Sequence, residues 1–301
     1  MTPLAIVIVT HNSAPEIGGC LDALRDLPNA EIVVVDNAST DATREEVTRR
    51  HVHLIANATN AGFAAAVNSG IRATSAPLVL LLNPDAHLIG GLEALAAHFD
   101  DPQTGAAGGM LVGPDGKPQA GFMARNLPAP GTLIFEVLGI NRLWPANPLN
   151  WHYRCKGLDP MTESIVEQPA GAFLMFPRAV WEKLGGFDER FRPIWFEDVD
   201  FCARLKAAGL RAYYEPGATA RHTGGHSISP LPAGLRERYW YGSLLEYGAK
   251  HYRPGVFRVL CLAVVLGVGI RALWGSLHRG AAPRGYGRVA GLALSWFFRA
   301  S

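Results

Sequence analysis

Leu78-Val79-Leu80-Leu81-Leu82-Asn83-Pro84-Asp85-Ala86 is the stretch whose reading decides the fold. Five consecutive apolar residues without polar alternation spell a strand buried on both faces, as in a parallel sheet. The run stops at Asn83-Pro84-Asp85. Proline lacks the N–H a ladder needs, so a carboxylate follows just past the strand's carboxyl end. Ligands bind at that edge of open α/β sheets. Asn, Pro and Asp are also ordinary turn formers. A plain turn and a binding site therefore both fit this stretch alone.

The rhythm extends on both sides. Leu4–Val9, Glu31–Val35 and His53–Ala56 read as strands. Glu16–Leu27, Asp41–Arg50, Gly62–Ala73 and Gly91–Phe99 read as helices; Ile17, Leu21 and Leu24 share one face of the first, and Phe63, Val67 and Ile71 one face of the third. This alternation predicts an α/β fold with a parallel sheet and helices on both faces. Past Asp100 it lapses. Residues 102–132 are rich in Gly and Pro, with a turn at Pro114-Asp115-Gly116, and 141–170 read as a long loop. Ala172–Phe176 is then a strand, and Arg178–Leu184 and Val199–Ala208 are helices, the second closed by Gly209. Two extended runs, Leu210–Tyr214 and Ala218–His222, meet at Glu215-Pro216-Gly217.

The 301 residues are 49% hydrophobic, ample for a core, and the net charge of +2 conceals an asymmetry. Residues 247–301 hold eight Lys or Arg and no Asp or Glu, which leaves the rest mildly acidic. A basic tail rich in Leu, Val and Trp suits anionic lipid, not nucleic acid. The expected organisation is a catalytic body over 1–245 and a membrane-associating helical tail over 246–301. Val259–Ile270 is twelve apolar residues, short for a span, and reaching Leu277 draws in Arg271. With Val289–Phe298 it suggests amphipathic helices lying in the membrane plane; packing on the body is the other reading. Cys20, Cys155, Cys202 and Cys261 are widely spaced and read as thiols in a reducing compartment. Thr2–Val9 lacks the basic start of a signal peptide, so the body is expected in the cytoplasm.

Polar clusters follow the strands. Strand one ends in Thr10-His11-Asn12-Ser13 and strand two in Asp36-Asn37-Ala38-Ser39-Thr40-Asp41. Asp36 is placed to accept from a base or sugar, whereas Asp41 reads as a helix cap. No G-x-G-x-x-G follows strand one and no Walker lysine is present, which excludes a dinucleotide or P-loop site. Asn60-Ala61-Gly62-Phe63 precedes a helix, and its small residues admit a phosphate to the backbone. Asn68 is either a satisfied core amide or a ligand contact. Trp195-Phe196-Glu197-Asp198-Val199-Asp200-Phe201 gathers three carboxylates at a helix start behind two aromatics that suit a sugar ring. An ionised carboxylate there can take a proton from a hydroxyl. His222 is a metal ligand or a structural histidine.

In order, V-T-H-N-S, V-D-N-A-S-T-D, N-x-G-F-x-x-x-x-N-x-G, L-N-P-D-A, G-A-F, G-G-F-D-E-x-F and F-E-D-V-D-F-C-x-R run from Ile6 to about His222. The series resembles family 2 glycosyltransferases of the GT-A nucleotide-diphospho-sugar transferase fold, and is most similar to bacterial rhamnosyltransferase-like members. The resemblance implies a mixed, mostly parallel central sheet and an inverting, metal-dependent transfer from a nucleotide diphosphate sugar. It assigns Thr10, His11, Asn12 and Asp36 to the nucleoside, and Asn60, Gly62 and Asn68 to the donor. Asn83-Pro84-Asp85 stands for the family's D-x-D, with Asp85 on Mg²⁺ or Mn²⁺ and His222 completing the metal site. Asp198 is the implied general base, Trp195 and Glu197 face the acceptor, and Arg125 reaches the diphosphate. The segments 102–132 and 141–170 would shape the donor lid and acceptor side. Asn83 departs from the pattern by removing one charge, which turns the donor expectation towards dTDP-L-rhamnose. UDP-galactofuranose, UDP-glucose and UDP-N-acetylglucosamine are the alternatives. The implied acceptor is a lipid-linked glycan or polysaccharide at the inner membrane face, with an oligomer left open. The rivals are a nucleotide-sugar-binding protein without turnover and a membrane scaffold.

Overall fold

The computed structural model of the chain describes residues 2–224, 231–279 and 285–299; part of the expected tail, including Arg284, lies outside them. Contacts divide the chain into two compact units. The first comprises Met1–Leu127, Arg154–Glu189 and Glu197–Ser229, the second Pro128–Tyr153, Arg190–Phe196 and Pro230–Ser301.

The first unit is built on strands β1 (Leu4–Thr10), β2 (Ala30–Asn37), β3 (His53–Asn57), β4 (Leu78–Leu82), β5 (Ala86–Gly90) and β6 (Thr104–Val112), followed by β7 (Ala124–Arg125), β8 (Ser164–Val166), β9 (Gln168–Pro169), β10 (Phe173–Pro177) and β11 (Arg211–His222). Nine of them form one sheet in the order β3-β2-β1-β4-β10-β6-β11-β5, with β8 against β11; β7 and β9 pair separately. β1 runs parallel to β2 and β4, and β2 to β3. β10 is antiparallel to both β4 and β6, which makes β6 and its parallel neighbour β11 co-directional with β1. Six strands thus bring their carboxyl ends to one edge. The sheet is the mixed, mostly parallel one of the GT-A fold.

Strand alternation splits the core. Ile6, Ile8, Leu80 and Leu82 face one side with Ile17, Leu21 and Leu24. Val7, Val9, Val79 and Leu81 face the other with Val67, Ile71 and Phe176. Fully burying each Leu or Val side chain is worth about 1.5–3 kcal/mol. The helices on these faces are α1 (Ala14–Asp22), α2 (Thr43–Arg49), α3 (Phe63–Arg72) and α4 (Leu92–Ala97). α3 lies close enough to β1 that a Cβ on Gly70 would sit 2.6 Å from Val7 Cγ1.

The second half differs from its sequence reading for identifiable reasons. β6 occupies the Gly-rich stretch expected to be irregular. Its glycines admit close neighbours: a Cβ on Gly108 would fall 2.4 Å from Pro169 Cβ, and one on Gly109 would fall 2.2 Å from the Phe173 ring. Arg211–His222 form a single strand with a bulge after Glu215, not two runs about a turn. The expected loop at 141–170 contains helix, through α6 (Ile140–Leu143) and α7 (Pro148–Tyr153) after α5 (Pro130–Val137), and then β8 and β9.

In the second unit, α10 (Ala233–His251) starts ahead of the expected boundary at 245; it comes after α8 (Arg178–Lys183) and α9 (Glu197–Ala207) of the first unit. α11 (Pro254–Arg279) is one continuous helix, and α12 (Tyr286–Arg299) closes the chain. Residues Pro254–Leu277 are long and apolar enough to cross a membrane, with mean hydropathy 2.2. Two apolar stripes run along α11. Phe257, Leu260, Val264 and Val268 are buried; Val259, Leu262, Leu266, Ile270, Leu273 and Leu277 are exposed. Arg271, the residue that made a span costly, is satisfied within the unit. Its guanidinium donates to the Val137 and Glu136 carbonyls and to Tyr241 Oη.

Asn68 is the polar hub of the first unit. Its Nδ2 donates to Phe187 O at 2.8 Å and Glu189 Oε1 at 3.0 Å; its Oδ1 accepts from Phe187 N at 2.9 Å and Trp181 Nε1 at 3.0 Å. Asn68→Ala orphans the buried groups of Phe187 and Trp181. A loss of about 2 kcal/mol is expected, read as a fall of about 4–8 °C in the melting temperature.

Candidate active site

The edge holding the six carboxyl ends gathers most of the expected residues. Parallel register sets Thr10 beside Asp36. Asp36 is fully buried, and both oxygens are taken. Thr10 Oγ1 donates to Oδ1 at 2.9 Å and Ser39 Oγ donates to the same atom, while Ser39 N at 3.0 Å and Arg44 Nε at 2.6 Å reach Oδ2. Burial opposes the charge, but the donations from Ser39, Arg44 and Thr10 outweigh it and hold the carboxyl below its usual range. Asp36 has no lone pair to spare for a base or sugar. It organises the loop instead.

Around it, His11 Nδ1–H donates to Asn37 O at 2.7 Å. Asn12 has φ 53° and receives Thr40 N at 2.8 Å on Oδ1. Asp41 is not the N-cap of α2. It accepts from Ala14 N at 3.1 Å and Thr43 N at 3.1 Å, stapling the starts of α1 and α2 together. Asn60 is exposed and its Oδ1 accepts Gly62 N at 2.9 Å. Gly62, with φ 92°, turns the chain into α3. Asn68, saturated from within, positions Gly186–Glu189 and has no free amide for a ligand.

The Asn83-Pro84-Asp85 turn ends β4, and Ala86 N closes it on Asn83 O at 3.0 Å. β11 runs antiparallel to β5 with His222 opposite Ala86. Asp85 Oδ1 therefore lies 3.5 Å from His222 Nε2, and Oδ2 accepts Gly224 N at 2.9 Å. Gln119 clamps the ring: His222 Nδ1–H donates to Gln119 Oε1 at 2.9 Å, and Gln119 Nε2 donates to His222 O at 2.8 Å. That contact assigns the lone pair to Nε2, on the Asp85 side. Burial pushes the His222 pKa down, with Asp85 opposing. A neutral imidazole nitrogen beside a carboxylate oxygen, with its other nitrogen held by a hydrogen bond, is a donor set that fits a divalent cation. Phe122 stacks on the imidazole at 5.2 Å, and Arg125 lies over Phe122 at 5.5 Å. Asn83 is half-buried and its side chain makes no hydrogen bond among the described residues. A second group, His98, Glu163 and Glu215, also clusters with ligand-like spacing; His98 Nε2 and Glu215 Oε2 pair at 3.0 Å.

The three carboxylates of α9 occupy different environments. Glu197 is buried, with Oε2 unpartnered, and burial and the neighbouring Asp198 raise its pKa well above the ordinary carboxylate value. Asp200 pairs with Arg204 Nε at 2.8 Å. Asp198 alone is half-exposed. Gln168 Nε2 and Gly171 N each donate to its Oδ2 at 3.0 Å, and Val199 N donates to Oδ1 at 2.8 Å. Three N–H groups thus fix the orientation of its carboxylate. One residue on, Ala172 O accepts from Asn83 N at 3.0 Å. Trp195 belongs to the second unit. Trp195 (φ 80°) and Phe196 (φ 68°) take the left-handed backbone that bulky residues rarely adopt.

Gln119, Gln168 and Arg44 were not singled out from sequence, and Gly171 entered only as part of the G-A-F motif, without a role. Gln119 meets His222 across 103 residues of chain, and no local pattern announces such a contact.

A sequence model of the family described as Glycosyl transferase family 2 matches residues 5–173. The N-acetylglucosaminyl-diphospho-decaprenol L-rhamnosyltransferase of Mycobacterium tuberculosis is 32% identical over 252 residues, covering 76% of this chain and 79% of that protein. Among solved structures, S. aureus TarS 1-349 aligns with TM-score 0.58 at 18% identity, covering all of this chain and 81% of that one. Mannosyltransferase PcManGT from Pyrobaculum calidifontis, in complex with GDP-Man and Mn²⁺, aligns with TM-score 0.54 at 18% identity, covering 99% and 85%. The chain belongs to glycosyl transferase family 2 and is a glycosyltransferase.

Proposed function

We propose that this enzyme transfers L-rhamnose, with inversion, from dTDP-L-rhamnose to a hydroxyl of a lipid-linked glycan. The observation that carries the reading is one short chain path. Gly171 N binds Asp198, and Ala172 O binds Asn83, two residues before Asp85. A candidate base and a candidate metal pair are thereby held on one frame. Asp198 takes the proton of the acceptor hydroxyl as that oxygen bonds to the anomeric carbon. The bond from that carbon to the diphosphate breaks, and the nucleoside diphosphate leaves with the electron pair. One displacement from the opposite face inverts the centre and requires no second, nucleophilic carboxylate. Mg²⁺ or Mn²⁺ held by Asp85 and His222 would neutralise the diphosphate. Gln168 and Gly171 keep Asp198 oriented. His11, Asn12 and the loop organised by Asp36 line the nucleoside pocket, and Gly62, without a Cβ, leaves room for the donor phosphates at the start of α3.

The mycobacterial relative, by its name, adds L-rhamnose to N-acetylglucosaminyl-diphospho-decaprenol. That likeness supports the rhamnose donor and a polyprenyl-diphosphate acceptor here. The exposed stripe of α11 and the acid-free, basic residues after Glu246 support a seat on an anionic membrane, at its cytoplasmic face.

Asp198→Asn is expected to lower kcat about 10²–10⁴-fold while dTDP binding stays within about twofold; near-normal turnover contradicts the base assignment. Asp85→Ala is expected to abolish Mn²⁺ binding in the presence of dTDP, followed by the electron paramagnetic resonance of free Mn²⁺; unchanged binding contradicts the metal pair. The double substitution Leu266→Asp and Leu273→Asp is expected to remove the protein from phosphatidylglycerol vesicles in a flotation assay, and continued flotation contradicts the α11 contact.

A further inference from the structure

The second unit encloses a cavity of about 1000 Å³. Its walls come from α5 and α6, the 190–196 strap, α10, α11 and the start of α12. The lining is largely apolar and aromatic, with Trp195, Trp240, Ile270 and Trp274 among it. Ile270 and Trp274 are more than half exposed, so the cavity opens onto the apolar stripe of α11.

Two features are polar and unmatched. Arg142 and Arg236 line the cavity, both are exposed, and neither side chain makes an ion pair or hydrogen bond among the described residues. Glu237 also lines it, and its Oε2 is buried with no partner. Arg271, by contrast, is occupied by the Val137 carbonyl and Tyr241 Oη and serves as an anchor for the wall. Two free guanidinium groups beside an aromatic slot complement an amphiphile with a hydrocarbon chain and a multiply charged phosphate head. Arg forks bind phosphate oxygens bidentately. A lone carboxylate oxygen next to them needs a hydroxyl or amide N–H, which a sugar carried on the phosphate supplies and a bare isoprenoid phosphate does not. Trp195 is on the wall three residues before Asp198, so the strap lining the cavity continues directly into the segment bearing the candidate base.

We infer that this cavity is the acceptor site for an isoprenoid diphosphate sugar: Arg142 and Arg236 hold the diphosphate, Glu237 accepts from the attached sugar, and the tryptophans hold the chain. The inference rests on the transferase reading above and names the part of the molecule that takes its acceptor.

The test uses the full chain in mild detergent with geranylgeranyl diphosphate as the probe. Binding is read from tryptophan fluorescence and dTDP binding is measured in parallel. The wild type is expected to bind the diphosphate at least tenfold more tightly than geranylgeraniol, and less tightly as salt rises. Arg142→Ala and Arg236→Ala are each expected to weaken the probe roughly tenfold, with dTDP binding unchanged as evidence of folding. Equal affinity in the double variant, or for the alcohol, overturns the inference. So does displacement of the probe by phosphatidylglycerol at comparable concentration, which would make the cavity a general lipid contact. Failure of the wild type to bind dTDP would instead refute the dTDP-rhamnose reading, and is scored separately from the probe.

Discussion

Two hydrogen bonds from one dipeptide hold the candidate chemistry together. Gly171 donates to Asp198 and Ala172 accepts from Asn83, both at 3.0 Å. The dipeptide leads directly into β10, the antiparallel strand between β4 and β6. The sheet interior therefore sets where the base and the Asp85 turn lie. Glycine at 171 lets Asp198 come close: a Cβ there would press on its side chain at 3.0–3.3 Å and displace it. A site supported by a central strand is held more precisely than one on free loops.

Division of labour among like groups follows from environment. Glu197, Asp198 and Asp200 are neighbours in sequence, yet one is buried with one carboxylate oxygen unpartnered, one is held by three N–H groups and one is paired with Arg204. Different surroundings are how one short segment supplies different roles. At the other end of the site, Asp36 is wholly occupied by its own protein, whereas Asp85 shares its carboxylate between Gly224 N and the His222 side. The two aspartates lie at the carboxyl ends of parallel strands of the same sheet, Asp36 within β2 and Asp85 just past β4, and their partners separate a structural role from a candidate ligand role.

The first eighty or so residues were legible because each element declares itself locally, whereas β5 (Ala86–Gly90) was missed. Buried strands are continuous apolar runs, helices carry a 3.6-residue stripe, and polar clusters mark strand ends. The second half was not, since its signals depend on neighbours. The glycines of β6 look like breakers until Pro169 and Phe173 are seen against them. The bulge after Glu215 looks like a turn until β6 runs alongside both halves of β11. At the site, the motif residues were visible, but their supports were not. Gln119 and Gln168 are single polar residues in irregular sequence, and only topology brings them to His222 and Asp198. Asn68 shows the reverse error: a polar residue on an apolar helix drew attention as a ligand contact, and its four hydrogen bonds all stay inside the protein.

The proposed membrane seat, acceptor cavity and catalytic edge all serve one claim, that a single in-line displacement moves the sugar. Inversion is its direct signature. With a β-L-linked nucleotide sugar as donor, the coupling constants of the product's anomeric proton and carbon in nuclear magnetic resonance decide it. The account predicts an α-linked product with every turnover. A β-linked product, showing retention, would contradict it.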